Sequence, residues 1–181
     1  KALKRNSFPT TPPSISVGKT LVSSGDKVTI TWGVSSDPDD NLSSYELQKS
    51  TDGGSTYPTS IYSGTNRSYT DTLSHSEGTV VKYRVRSKDS LGAISGWKVS
   101  SAVTINTTPT SPTDFSINKS EYSQGNSVKL SWESSSDVNG NISSYSLQYR
   151  VKSNDTWGSW KALASVLVPN NQYVFTPTQA G

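Results

Sequence analysis

The amino-acid sequence predicts an all-β chain of two tandem β-sandwiches, the second incomplete. Three observations carry this. The chain matches itself at a fixed offset of 100 residues, its apolar residues fall in short runs of strict alternation, and its composition suits half-buried strands. Only 30% of the 181 residues are apolar and 17% are charged, and Ser and Thr (about a third of the chain) make up the balance. Thr shares the β-branched shape of Val, so hydroxyl-rich outer faces fit a pleat. Five Trp and nine Tyr distinguish the chain from a disordered Ser/Thr-rich one.

The repeat is ungapped through the first half of each unit. Pro9 and Pro12 match Pro109 and Pro112, Gly25 matches Gly125, Val28 matches Val128 and Trp32 matches Trp132. Ser35-Ser36-Asp37, Asn41, Ser43-Ser44-Tyr45 and Leu47-Gln48 all recur one hundred residues later. The organisation that follows is a connector over 1–10, a first domain over 11–108 and a second over 109–181. The prolines of the linker Asn106 to Pro112 bias it to extended geometry.

Within unit 1 the alternation places strand A at Ile15 and Val17, and strand B at Val28, Ile30 and Trp32 with Thr29 and Thr31 outward. Tyr45, Leu47 and Lys49 share a face of strand C, and Asp52-Gly53-Gly54 turns into C′. Tyr69, Asp71 and Leu73 are in phase on E; Val81, Tyr83 and Val85 on F; Val103 and Ile105 on G. Unit 2 reaches strand E at Tyr173 to Phe175 and then Gly181, so it carries A to E and is truncated before F and G. Strand C is then left with an open edge, to be covered by further chain or by a partner. With no Met and an opening at Lys1, the chain is expected to be a segment of something longer.

These residues carry a resemblance. Pro12-Pro13 before strand A, Trp32 on B, Tyr45-x-Leu47 on C, and Tyr83-Arg84-Val85 followed by Asp89-Ser90-x-Gly92 resemble a fibronectin type III domain of the immunoglobulin-like class. Tyr83 resembles the tyrosine corner, whose hydroxyl ties the E–F crossing. More narrowly, Ser36-Asp37-Pro38-Asp39-x-Asn41, Tyr45 through Gly54, Tyr83 through Ser90 and Val103 through Pro109 resemble tandem units of bacteriophage and prophage tail or surface proteins of Gram-positive bacteria. The resemblance implies a non-catalytic accessory module of a particle, on a virion surface or tail. It would assemble with other structural subunits, itself in homo-oligomeric form, and touch host cell-wall carbohydrate. Similar modules occur as spacers in secreted polysaccharide-degrading enzymes and in adhesin stalks, so these are the alternative settings, extracellular or at the cell surface.

Composition narrows the chemistry. The absence of Cys removes disulfides and thiolate metal sites. A net charge of +3, with scattered basic residues, gives no stripe to grip a nucleic acid backbone. No apolar run approaches the ~20 residues of a membrane helix. His75 is the sole His and no motif ties an acid or a nucleophile to it, so no active site and no cofactor are expected.

Four features are candidate sites. Asp37, Asp39 and Asn41, with their counterparts Asp137, Asn139 and Asn141, fit the opening of a calcium loop. Leu42 and Ile142 replace its turn Gly, and Gln48 and Gln148 its bidentate Glu, which favours side chains capping a tight turn. Trp157-Gly158-Ser159-Trp160 cannot place both rings on one face of a regular strand unless Gly158 makes a bulge, and with Trp97 they are candidate ligand contacts. Lys82, Arg84 and Arg86 form a cationic row on strand F; Arg84 and Arg86 are candidate contacts for an anionic wall polymer, with Glu46 on strand C as the internal counter-charge. Asn41-Leu42-Ser43 and Asn141-Ile142-Ser143 are formal glycosylation sequons, read as chance in a Ser-rich chain.

Overall fold

The computed structural model of the chain describes residues 4–177 except Gln124. The chain divides into two units, Lys1–Asn106 and Thr107–Gly181.

Unit 1 is a β-sandwich of two sheets with immunoglobulin-like strand order. Its strands are β1 (Ile15–Val17), β2 (Leu21–Val22), β3 (Lys27–Trp32), β4 (Leu42–Ser50), β5 (Thr59–Gly64), β6 (Ser68–Thr72), β7 (Val80–Asp89), β8 (Lys98–Val99) and β9 (Val103–Ile105). One sheet has the order β1-β3-β6; the other runs β2-β9-β7-β4-β5, with β8 also pairing β7. Strand A therefore changes sheets. Its first half pairs antiparallel with β3, and after Gly18 its second half pairs parallel with β9.

Alternation sets which side chains go inside. On β3, Val28, Ile30 and Trp32 are buried and the residues between them exposed. They meet Tyr45 and Leu47 of β4 and Val81, Tyr83 and Val85 of β7, with Leu73, Val103 and Ile105 closing the core. Trp32 lies edge-on to Tyr45 at 6.0 Å between ring centres. The Tyr83 hydroxyl donates to Oδ2 of Asp71 on β6 at 2.9 Å, and Lys49 Nζ reaches the same oxygen at 2.9 Å. Burial and the neighbouring Asp71 carboxylate push the Tyr83 phenol well above its ordinary range. The tie implied for this tyrosine is thus made to a strand E carboxylate.

The inward alternation of β7 continues past Val85 into Ser87 and Asp89, both buried. Inward polar groups need partners, and the segment before strand A supplies them. Ser87 Oγ donates to the Thr10 carbonyl at 2.7 Å, and Asn6 Nδ2 donates to Asp89 Oδ2 at 2.7 Å. Residues 4–10, expected as a connector, are therefore a strap hydrogen-bonded to their own unit. The boundary of unit 2 moves for the same reason, since Thr107 occupies in unit 2 the place of Ser7 in unit 1.

Unit 2 has strands β10 (Thr113–Ile117), β11 (Val128–Glu133), β12 (Ser144–Tyr149), β13 (Lys152–Ser153), β14 (Thr156–Trp157), β15 (Lys161–Leu167) and β16 (Gln172–Phe175). One sheet has the order β10-β11-β16, the counterpart of β1-β3-β6; β12 pairs only with β15, and β13 with β14 form a small hairpin. Among the described residues no strand occupies the second edge of β12. Its core is correspondingly small: Leu130, Trp132, Tyr145, Leu147 and Val166. An open groove of about 390 Å³ runs beside it, lined by residues including Phe115, Trp132, Tyr145 and Leu147.

Candidate functional site

The outer face of β4 and β7 in unit 1 gathers the cationic row into a ladder. Arg84 stacks on both Tyr57 and Trp97, its guanidinium carbon 4.3 Å from each ring centre, and Arg86 stacks on Trp97 at 4.3 Å. The Nε/Nη2 edge of each guanidinium group is occupied. Arg84 donates from Nε and Nη2 to Gln48 Oε1 at 2.9 and 2.6 Å. Arg86 Nε donates to Glu46 Oε2 at 2.8 Å, with Nη2 at 2.7 Å from the same oxygen. Gln48 Nε2 in turn donates to Glu46 Oε1 at 2.8 Å. Partial burial of Glu46 works against its ionisation, but the Arg86 guanidinium and the Gln48 amide outweigh it and hold the carboxyl below its usual value.

Trp97 reaches this ladder because the edge strand is broken. Ser95 Oγ accepts from Ser87 N–H at 3.0 Å and Ser100 Oγ accepts from Tyr83 N–H at 3.0 Å. The two hydroxyls stand in for ladder carbonyls where β8 and β9 leave β7. The indole is thereby held over β7, half-buried.

Unit 2 builds a second cluster on its β13–β14 hairpin. Asn154 and Asp155, with φ of 47° and 61°, form the two-residue turn that needs positive φ at both positions, which Asn and Asp tolerate. Gly158 N–H donates to the Val151 carbonyl at 2.8 Å, and a Cβ on Gly158 would lie 3.3 Å from that oxygen. With regular pairing ended there, both indoles come to Arg150, its guanidinium carbon 4.4 Å from the ring centre of Trp157 and 4.8 Å from that of Trp160. Trp157 and Trp160 remain 53% and 60% exposed, which leaves most of each ring open to solvent.

The acidic loops serve the straps. Asp37 Oδ1 accepts from Asp39 N–H at 2.7 Å and Asp137 Oδ1 from Asn139 N–H at 2.7 Å, closing matched turns. Asp39 Oδ2 then accepts from Ser7 N–H at 2.6 Å, and Asn139 Oδ1 from Thr107 N–H at 2.8 Å. Asp39 also pairs with Lys4, and these contacts hold its carboxyl below the usual range. Asn41 Nδ2 donates to Asn6 Oδ1 at 3.1 Å. Among the described residues no group of three or more acidic or His side chains is arranged to hold a metal.

The structure thus brings Arg84, Arg86 and Trp97 together, and Trp157 with Trp160, as two separate clusters. Sequence reasoning missed Tyr57, Gln48 and Arg150. Arg150 was findable, since it lies two residues past Gln148, just beyond the end of β12; nothing in the sequence marks Tyr57.

No protein-family model matches the chain, and no curated protein matches it in sequence. Among solved structures, it is similar to domains A168–A170 of titin (17% identity, TM-score 0.41), over 55% of this chain and 32% of that one. Similarity to the chicken CNTN1 FN1–FN3 domains covers 94% of this chain and 57% of that one, at 16% identity and TM-score 0.41. An Fn3-like protein from Clostridium thermocellum is similar at 26% identity and TM-score 0.35, over 53% of this chain and 92% of that one. The fold itself rests on the strand order and register described above.

Proposed function

We propose that this chain is a non-catalytic spacer and binding region of a surface-exposed assembly, a bacteriophage tail or virion-surface protein, that contacts host cell-wall carbohydrate through unit 2. The observation that carries this reading is the contrast between the two clusters. In unit 1 the Nε/Nη2 edge of each guanidinium is met by Gln48 or Glu46, which favours a self-contained face over a nucleic-acid contact. In unit 2 two half-exposed indoles stand at the base of the β13–β14 hairpin and just beyond it, the kind of surface on which a sugar ring stacks. Such a contact is weak in one copy and useful in many, because repeated subunits of a particle raise the effective concentration.

The test is co-sedimentation of the full chain with purified Gram-positive cell-wall sacculi. Binding by the chain, lost in a Trp157→Ala/Trp160→Ala double variant of unchanged melting temperature, is the expected result. Equal sedimentation of the double variant would sink the reading.

A further inference from the structure

We infer that the cluster around Arg150 is a binding site for an anionic group carried on a saccharide or polyol, a carboxylate or a phosphate. The inference rests on the reading of unit 2 as a glycan contact and names the class of glycan. Stacking on an indole uses the face of a guanidinium and leaves its N–H edge available. In unit 1 the Nε/Nη2 edge of Arg84 is filled by Gln48 and that of Arg86 by Glu46. In unit 2 the position of Glu46 is taken by Ser146, and among the described residues Arg150 has ring contacts but no acceptor on its five N–H groups.

The surroundings fit an anion. The segment 149–161 carries Arg150, Lys152 and Lys161 against a single acid, Asp155, which is already paired with Lys152 at 2.8 Å. The two indoles fix the guanidinium on the hairpin, so ordering it on binding costs less than for a free side chain. They also offer apolar ring faces beside the charge. A ligand that joins an anionic group to a ring or polyol backbone would use both: the anion accepts from the Arg150 edge in a charge-assisted pair, and the C–H face of the sugar rests on Trp157 or Trp160. A neutral glycan would use the indoles alone.

Affinity electrophoresis of the full chain tests this in gels containing polygalacturonate, poly(glycerol phosphate) or neutral dextran. The expected result is retardation by one or both anionic polymers and little by dextran. Which polymer retards distinguishes a carboxylate from a phosphate source. Arg150→Gln should weaken the anionic interaction about tenfold, and Arg150→Lys should recover only part of it, because an ammonium lacks the planar fork. Lys129→Gln, which removes an exposed cation of β11, should change nothing. Retardation by dextran that survives Arg150→Gln but is lost in Trp160→Ala would overturn the anionic assignment and leave the glycan contact standing. No retardation in any gel, with unchanged melting of all variants, would overturn both.

Discussion

Units 1 and 2 share a repeated sequence, but among the described residues their equivalent strands are paired differently. Leu47 and Leu147 are equivalent residues on equivalent strands, yet Leu47 is 0% exposed and Leu147 8%. The cause is pairing: β4 has β5 on one side and β7 on the other, whereas among the described residues β12 has only β15. The same holds for charge. Arg84 and Arg86 arrive on β7 opposite Gln48 and Glu46, and Arg150 stands beside its own strand with rings alone. A strand's outer face thus decides, through its neighbours, whether a cation is a structural rivet or an open contact.

The comparison can be broken first at the cores. Trp32→Ala should cost about 3–5 kcal/mol, the range for truncating a large buried aromatic. Trp132→Ala should cost less, about 2–3 kcal/mol, because half-exposed Phe115 stacks on Trp132 and can settle into the space. Denaturant unfolding followed by fluorescence measures both, and equal costs would mean that the two tryptophans are equally well packed.

At the E–F corner, Tyr83→Phe should cost about 1–3 kcal/mol by leaving a buried Asp71 oxygen with Lys49 as its one remaining partner. Unit 2 places Phe175 at the register of Asp71, opposite Val128 as Asp71 is opposite Val28, so among the described residues no equivalent polar tie is present to lose.

The straps differ in acid. Ser7 N–H is held by the carboxylate of Asp39 and Thr107 N–H by the carboxamide of Asn139. The Asp39 hydrogen bonds to Lys4 and Ser7 lower its folded pKa. At Asp89 burial opposes ionisation, but Asn6 and the N–H groups of Ala93 and Leu91 lower it overall. A depressed carboxyl contributes stability above its unfolded pKa of about 4 and loses it as pH falls through the folded value. Hydrogen exchange should therefore show Ser7 losing protection below about pH 4 while Thr107 keeps it, and Asp39→Asn should make the two alike. The smallest effect is none: a chelator should leave both melting transitions in place, since Asp37 Oδ1, Asp39 Oδ2, Asp137 Oδ1 and Asn139 Oδ1 are each taken by a backbone N–H of the turn or strap, even though buried Asp37 Oδ2 and Asn41 Oδ1 have no hydrogen-bond partner among the described residues.

The sequence made the sandwich legible where period-2 alternation is strong, as in Val28-x-Ile30-x-Trp32 and Val81-x-Tyr83-x-Val85, because burial on one face leaves a direct trace in residue order. Less legible was everything that depends on a hydroxyl or amide finding a distant partner. Ser95 and Ser100 look like any other serines, yet they break the edge strand and so position Trp97. Asn6 and Ser7 read as linker because polar residues carry no phase. Of the candidate contacts, the tryptophans were visible from their oddity on a strand, while Arg150 needed the hairpin geometry to show that its edge is free.

The strap gives the repeat a natural unit of inheritance. Thr10 N–H meets the Ser36 carbonyl and Thr110 N–H the Ser136 carbonyl, both at 2.8 Å, and the hydroxyl contacts between the same residues recur. A copied block that begins at Asn6 or Asn106 therefore arrives with its anchoring segment already matched to its own loop. A block cut at the proline would lose it. Each copy then carries its own strap-to-loop contacts, and segments outside them, such as the 152–157 hairpin, are left to vary.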